Sequence, residues 1–468
     1  MLAIMPLLAT TAFAETVFTV DSDLDEVDAN LADGKCETAA MQCTLRAAVM
    51  QANLIDGIGA TIELPAGTYF LGPPVTIAPD VTGDLNLTSP AVNADPVISI
   101  VGAGSATTII DGQGTDRVLA IATRRHVVVS GVWLRNGLAT LSQGGAIRNL
   151  GYLTMSDSII SDSTASGSGG GIYSEGSLIL TRLTIRYNKS SGFGGGIESP
   201  GPISLSQSHL YGNMAASYGG GLSVSGGAIA APSSVDSTAI EGNQSNQGGG
   251  IYNGIGSTLV LARSLLAGNT GKNGGGCFNA GTLFMSNSTI DQNAATTNGG
   301  GIYNQASINA YNQTIAFNEA DSDADSVGGG AGIYNVAGAT FNLQNSVVAG
   351  NYLAGQPDYN DCIGIVGIYG NNKFWNTAGC SAAPGSPGTM SLLASLDELD
   401  ILADNGGPTR TNALLPPSSL IAGATGCTDQ NGLQLKTDQR GKPRPPGARC
   451  DIGAFEYNEI FVAGFEGL

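Results

Sequence analysis

A run of glycines followed by an aliphatic residue, and often by Tyr-Asn, recurs every 25 to 31 residues down the middle of the chain. It reads GGAIRN at Gly144, GGGIYS at Gly169, GGGIES at Gly194 and GGGLSV at Gly219. It continues as GGGIYN at Gly248, GGGCFN at Gly274, GGGIYN at Gly299 and GAGIYN at Gly330. A period of this size marks a solenoid, in which each unit buries its apolar face only against its neighbours. Between the glycine runs lie short stretches such as Ser288-Thr289-Ile290 and Thr282-Leu283-Phe284-Met285, separated by turn residues. Two or three such strands per unit predict an all-β, single-stranded, right-handed parallel β-helix. A propeller blade needs about 40 residues and four strands. Glycine does not fall at every third position, which excludes collagen. About twelve coils stacked at roughly 4.8 Å give a rod about 55 Å long.

The repeat also supplies a register. Three glycines in a row allow positive φ and close backbone approach where coils stack. Asn136, Asn188, Asn213, Asn243, Asn269, Asn293, Asn318 and Asn351 precede the glycine runs and are expected to form a hydrogen-bonded ladder; Asn149, Asn253, Asn279, Asn304 and Asn335 form a second set after them. Three residues before the first set, Ile159, Ile185, Leu210, Ile240, Leu266, Ile290, Ile315 and Val348 are expected to point inward. Ile160, Arg186, Tyr211, Glu241 and Ala267 then form one outward file, with Ser158, Thr184, His209, Ala239 and Leu265 in the other. Cys277 takes the aliphatic slot of its unit and reads as a buried core thiol. Tyr173, Tyr252, Phe278, Tyr303 and Tyr334 recur after the glycine-aliphatic pair, and their regularity favours packing of coil on coil over stacking on sugars.

The ends differ from the middle. MLAIMPLLATTAFA over 1–14 reads as the tail of a secretory signal peptide. Residues 15–70 read as an N-terminal cap, with a short helix after Thr44 laid across the first coil. The β-helix is expected over 71–380, a C-terminal capping module over 381–458 and a tail over 459–468. CDIGAFEY at Cys450 is expected to be a strand covering the end of the rod. In an oxidising compartment the cysteines pair locally as Cys36 with Cys43, Cys362 with Cys380 and Cys427 with Cys450. With 19 Lys and Arg against 38 Asp and Glu, the net charge of −19 argues against nucleic acid as a partner. No run is apolar for long enough to cross a membrane as a helix. The basic residues Lys436, Arg440, Lys442, Arg444 and Arg449 are expected to pair internally with nearby acids.

The Cys-Thr-Leu-Arg core at Cys43 to Arg46 resembles the CSLREA-type domain at the start of bacterial secreted β-helix proteins, with Thr44 in place of serine and Ala47 in place of glutamate. NGGPT at Asn405, DQRG at Asp438 and CDIGAFE at Cys450 resemble a choice-of-anchor module of the same secreted proteins. The GGGIYN repeats are similar to those of polymorphic outer-membrane surface proteins. These resemblances imply a pectin-lyase-like solenoid that is secreted or held on the bacterial cell surface. They imply no reaction, although the wider class includes polysaccharide enzymes.

No metalloprotease, serine-hydrolase, P-loop or dinucleotide motif is present. The outward file suggests one site: Arg186, Tyr211 and Glu241 on successive coils, His209 beside them and Lys189 past the bend. A cation to neutralise a uronate, with Tyr or His as base, is what β-elimination requires. A glycoside hydrolase would need a facing pair of carboxylates, which this register does not supply. Calcium is the candidate cofactor, at Asp21, Asp23, Asp25 and Asp28 in the N-terminal acidic loop, or at Asp321, Asp323 and Asp325 in an insertion. The leading expectation is a monomeric, adhesin-like or glycan-binding rod that contacts a polysaccharide or a host glycan. The alternatives are an enzyme acting on acidic polysaccharide, as lyase or hydrolase, and a purely structural stalk.

Overall fold

The computed structural model describes residues 15–55, 59–73, 83–89, 96–226, 232–356, 359–429, 431–445 and 449–457. The expected signal segment and C-terminal tail lie outside them. The chain coils into a parallel β-solenoid. One regular turn runs through Ile302–Asn304, Ser307–Tyr311, Thr314–Ala316 and Glu319–Ala320, and each segment pairs in parallel with its counterparts above and below. We refer to these four files of strands as the first to fourth faces. The third face is a sheet of 13 strands, which at roughly 4.8 Å per step spans about 58 Å.

Alternation along each strand sends every second residue inward. On the second face Leu178 and Leu180 stack under Ile203 and Leu205; farther along, Leu259 and Leu261 stack under Leu283 and Met285. These side chains are buried in one continuous core that also contains Cys277. Burial pushes the Cys277 thiol up to about 12, so it stays protonated and inert.

Each glycine of a triplet answers a different demand. Gly274 has φ +64°, in the left-handed region. A Cβ on Gly275 would lie against the carbonyl oxygens of Ala294 and Gly300, and one on Gly276 would crowd Gly301 O and the Asn293 amide. That amide belongs to a ladder running the length of the regular coils. Asn243 Oδ1 accepts from both the backbone N–H (2.9 Å) and Nδ2 (3.0 Å) of Asn213, while Asn243 Nδ2 donates to Leu210 O at 3.0 Å. The same pattern links Asn188, Asn213, Asn243, Asn269, Asn293, Asn318 and Asn351. The second set forms a shorter ladder through Asn253, Asn279, Asn304 and Asn335.

Two assignments at the start of the ladder change. Ser163 fills the asparagine slot below Asn188, giving its backbone N–H to Asn188 Oδ1, and Gly137 lies below Ser163. Asn136 is therefore outside the ladder and bonds Asp111 instead. The coil at Ile159 shifts by one residue. Ile160 is inward, beside Ile185, while Ile159 pairs with Thr184 and Ser161 with Arg186.

The N-terminal helix Leu45–Ala52 is capped by Thr44, whose hydroxyl accepts from Ala47 N at 3.1 Å. It buries Leu45, Ala48, Val49 and Ala52 in the solenoid core. Arg46 is buried beneath it, with Nε 2.7 Å from Asp25 Oδ1 and Nη2 2.7 Å from Gly83 O. Parallel pairing begins at Thr16–Thr19 and runs to Thr389–Leu392, beyond the 71–380 expected. The cysteines pair as Cys36–Cys43, Cys362–Cys380 and Cys427–Cys450, with Cα atoms 5.0, 5.5 and 6.3 Å apart.

Among the described residues, the C-terminal module past Leu392 folds back along the third face instead of covering the end of the rod. Leu393, Leu399, Leu414, Leu420, Ile452 and Phe455 pack on outward Ala316, Val347 and Ala349, and Leu402 packs on Leu265 and Ala267. Here Leu265, Ala267, Ala316, Val347 and Ala349 stand in the files that hold Thr184, Arg186, His209 and Tyr211 in earlier coils. Cys450–Tyr457 is irregular rather than a strand, and Gly453 N donates to Asn345 O at 3.0 Å on the flank of the rod. Within the basic segment, Arg440 pairs with Asp438 and buried Arg444 with Glu456.

Replacing Asn243 by Ala removes the acceptor of two buried donors and the donor to Leu210 O. A loss of about 3 kcal/mol in unfolding free energy is expected by urea titration. A loss below about 1 kcal/mol would show that the ladder does not hold the coils.

Candidate functional site

The third face is free of the C-terminal module only over its earlier coils. There, strand pairing sets Asp111, Arg135, Ser161, Arg186, Tyr211 and Glu241 in one outward file, and Ile109, Trp133, Ile159, Thr184, His209 and Ala239 in the other. Arg186 Nη1 donates to Tyr211 Oη at 2.8 Å, and the guanidinium lies 5.5 Å from the Trp133 ring centroid. The His209 and Tyr211 rings are 4.6 Å apart, and Tyr187 meets Tyr211 edge-on at 5.2 Å. His209 Nε2 is 2.8 Å from Glu241 Oε2, off the line of a well-aligned hydrogen bond. Glu241 Oε1 is held by Arg410 of the C-terminal module.

The His209–Glu241–Arg410 contacts border an open groove of about 380 Å³, with Arg186 and Tyr211 outside its lining. Its floor is Thr184, His209, Ala239 and Glu241, and its far wall is Pro408, Thr409 and Arg410. Burial alone would raise the Glu241 carboxyl, but its contacts with His209 and Arg410 prevail and hold it below the ordinary carboxylate range. Glu241 therefore stays ionised beside His209.

Of the five residues expected to carry chemistry, Arg186, His209, Tyr211 and Glu241 are gathered. Lys189 is not: it is exposed on the fourth face, paired in register with Thr164 and Met214. Arg410 and Trp133 were not anticipated. Trp133 follows from the same register once the coil at Ile159 is corrected. Arg410 is 169 residues from Glu241 and gives no local signal.

The aromatic file on the first face packs on itself. Phe278 lies 4.9 Å from Tyr303, and Tyr303 lies 5.2 Å from Tyr334 at an interplanar angle of 5°. Tyr173 is outside this stack, because Glu198 and Ser223 occupy the next two coils of its file. Glu198 is buried, accepts from Ser225 Oγ, and has no partner for Oε2. Burial pushes it up to about 7, against the weaker opposing effect of the neighbouring Ser223 and Ser225 hydroxyls.

The N-terminal acidic loop does not assemble a cation site. Asp21 accepts from Cys43 N at 2.8 Å, Asp25 is bound by Arg46 and Gly72 N, and Asp28 accepts from the N–H groups of Asn30 and Glu37. Each of these carboxylates is spent on the loop's own fold, and Asp23 does not join them in a cluster. Asp321, Asp323 and Asp325 do converge, with carboxylate oxygens within 4.8 Å of one another. Asp321 is buried; its Oδ2 accepts from Ser326 N at 3.1 Å while Oδ1 has no partner. Hard oxygen donors in this arrangement fit a divalent cation such as calcium.

No family model matches the chain, and no curated protein matches it. Among solved structures, pectate lyase Pel9A is similar over 95% of this chain and 97% of its own, at 14% identity and a TM-score of 0.45. The A-module of mannuronan C-5 epimerase AlgE4 of Azotobacter vinelandii is similar over 71% of this chain and 91% of its own, at 16% identity and a TM-score of 0.37. The A-module of AlgE6 from the same organism follows at 15% identity and a TM-score of 0.31, over 71% and 89%. At these levels the likeness carries no argument about residues or substrate. Among the described residues, no helix is long and apolar enough to cross a membrane.

Calcium is expected to raise the melting temperature, a chelator to reverse the rise, and Asp321→Asn to abolish it. An identical melt with and without calcium would rule the cluster out as a cation site. Glu198 gives a second test. Its folded value is raised, so its neutral form stabilises the fold; that contribution is complete below 4.5 and is lost as pH rises to about 7. Glu198→Gln should lose less stability than the parent across that interval in thermal melts at stepped pH. Parallel curves would refute the assignment.

Proposed function

We propose that this chain acts on an acidic polysaccharide laid along the open part of the third face, and that it cleaves it by β-elimination. The observation that carries the reading is the constellation beside the groove, in which Arg186 bonds Tyr211, and His209, on the groove floor, lies between Tyr211 and a carboxylate anchored by Arg410. Arg186 neutralises the uronate carboxylate and so acidifies the proton on C5. His209, oriented by Glu241, takes that proton. The electron pair left on C5 forms the C4=C5 double bond as the bond from C4 to the glycosidic oxygen breaks. Tyr211 accepts from Arg186, so its own hydroxyl hydrogen is free to go to the departing oxygen. Solvent then restores both side chains.

Hydrolysis is supported less well. Glu241 is committed to Arg410 and His209, and Asp291 is covered by the C-terminal module, where Asn412 bonds it at 2.9 Å. Burial also pushes Asp291 up to about 7. A glycan-binding role through the aromatic file has little support, since those rings stack on one another. Export from the cell belongs to the same reading. Three disulfides suit an oxidising compartment, and the Cys43–Arg46 and Asn405–Glu456 motifs resemble those of secreted bacterial proteins.

The test is incubation with a panel of uronate polymers, following the ultraviolet absorbance of the unsaturated product. His209→Ala and Tyr211→Phe should each reduce the rate by about 10²-fold or more, with the melting temperature kept. No unsaturated product from any polymer would exclude the lyase, and no retention on the same polymers would exclude a polysaccharide partner altogether.

A further inference from the structure

The groove is open at one end and blocked at the other. From Trp133 to His209 the outward side chains are partly covered, apart from Ser161, which is buried. One coil beyond Glu241, Leu265 and Ala267 are buried under Leu402, and two coils beyond it Asp291 is sealed by Asn412. The block is built from interior bonds. Buried Gln439 donates to Arg410 O at 3.0 Å and to Thr409 Oγ1 at 2.9 Å, and its Oε1 accepts from Thr289 Oγ1 at 2.7 Å on the rod. The 408–410 loop is thus tied to the third face through a side chain that solvent does not reach, and it stands across the path of the groove.

The side chain of Arg410 faces back into the groove and is half-exposed, at 49%. Only Nη2 is engaged, with Glu241. Its remaining N–H groups have no partner among the described residues, and the side chain lines the groove. The groove floor runs from Thr184 through His209 to Ala239, two steps or about 10 Å, which leaves room for a very short run of sugars lying parallel to the rod axis. A polymer lying there meets the 408–410 wall, and a chain that continued past Glu241 would collide with Leu402.

We propose that this groove takes chain ends rather than chain interiors, and that Arg410 is a specificity-determining residue that pairs with the carboxylate of the terminal uronate. The proposal rests on the acidic-polysaccharide reading above. The Arg410 fork suits a carboxylate bidentately, and its fixed position sets how many sugars lie between the chain end and the His209–Tyr211 pair. The products are therefore short oligomers of narrow length released from one end, and the number of protein molecules bound per polymer does not grow with polymer length.

Three measurements test this on the full chain. In the first, polygalacturonate and alginate fractions of defined length are titrated, and bound protein per polymer is counted. A constant count as length increases is expected; a count proportional to length overturns the proposal. In the second, products are sized during the reaction on whichever polymer is cleaved. Short oligomers from the earliest time, with little loss of viscosity, are expected; an early broad distribution with a rapid fall in viscosity overturns it. Arg410→Gln should weaken binding of short oligomers about tenfold or more, and Arg410→Lys should restore part of the loss. Unchanged affinity in Arg410→Gln, with the melting temperature kept, also overturns it. Absence of both binding and product on every polymer would instead remove the acidic-polysaccharide reading, so the two failures are distinct.

Discussion

The rod depends on one buried interaction repeated coil by coil. Each ladder asparagine accepts the backbone and side-chain N–H groups of the asparagine in the coil before it, and gives its own amide hydrogens onward and to an inward strand carbonyl. A turn buried between two strands leaves backbone donors that water cannot reach, and each one unmet costs on the order of 1–3 kcal/mol. The asparagine meets that need only if the next coil approaches closely. The glycine that follows makes the approach possible, since a Cβ on Gly276 would crowd the Asn293 amide. The two motifs are halves of one device.

That device is why so much of the architecture is legible in the repeat. The alternation of inward and outward residues follows from it, and Arg186, Tyr211 and Glu241 fall on successive coils as the spacing predicts. The coil at Ile159 is misread because Ser163 does the work of asparagine there with a hydroxyl and a backbone N–H, and its neighbour Asp162 is the more conspicuous residue. Lys189 is misplaced for another reason. The chain bends between Arg186 and Lys189, and residues three apart across a corner belong to different faces.

What no local pattern reveals is the path of the C-terminal module. NGGPTRTNAL can be recognised as a turn-rich segment, but nothing in it says that Arg410 reaches Glu241. The clue is distributed instead. Outward positions turn apolar at Leu265, Ala267, Ala316, Val347 and Ala349, which marks a flank that some other part of the chain must cover. The site arises where that cover stops. Polar coils left bare by the module, and the edge of the module itself, together form the groove.

The ladder also has a direction. Every asparagine-to-asparagine bond runs toward the C-terminal end, so these amide dipoles add head to tail as peptide dipoles do in an α-helix. The final donors, the backbone N–H and Nδ2 of Asn351, meet Asp361 Oδ1 at 3.1 and 2.8 Å. Asp361 Oδ2 accepts from Trp375 N and Asn376 N, each at 2.8 Å. Burial pushes this carboxyl up to about 6 despite those bonds. An acid thus stands at the positive pole of a side-chain macrodipole, as an acidic N-cap does on a helix, and the column of amides is terminated electrostatically as well as sterically.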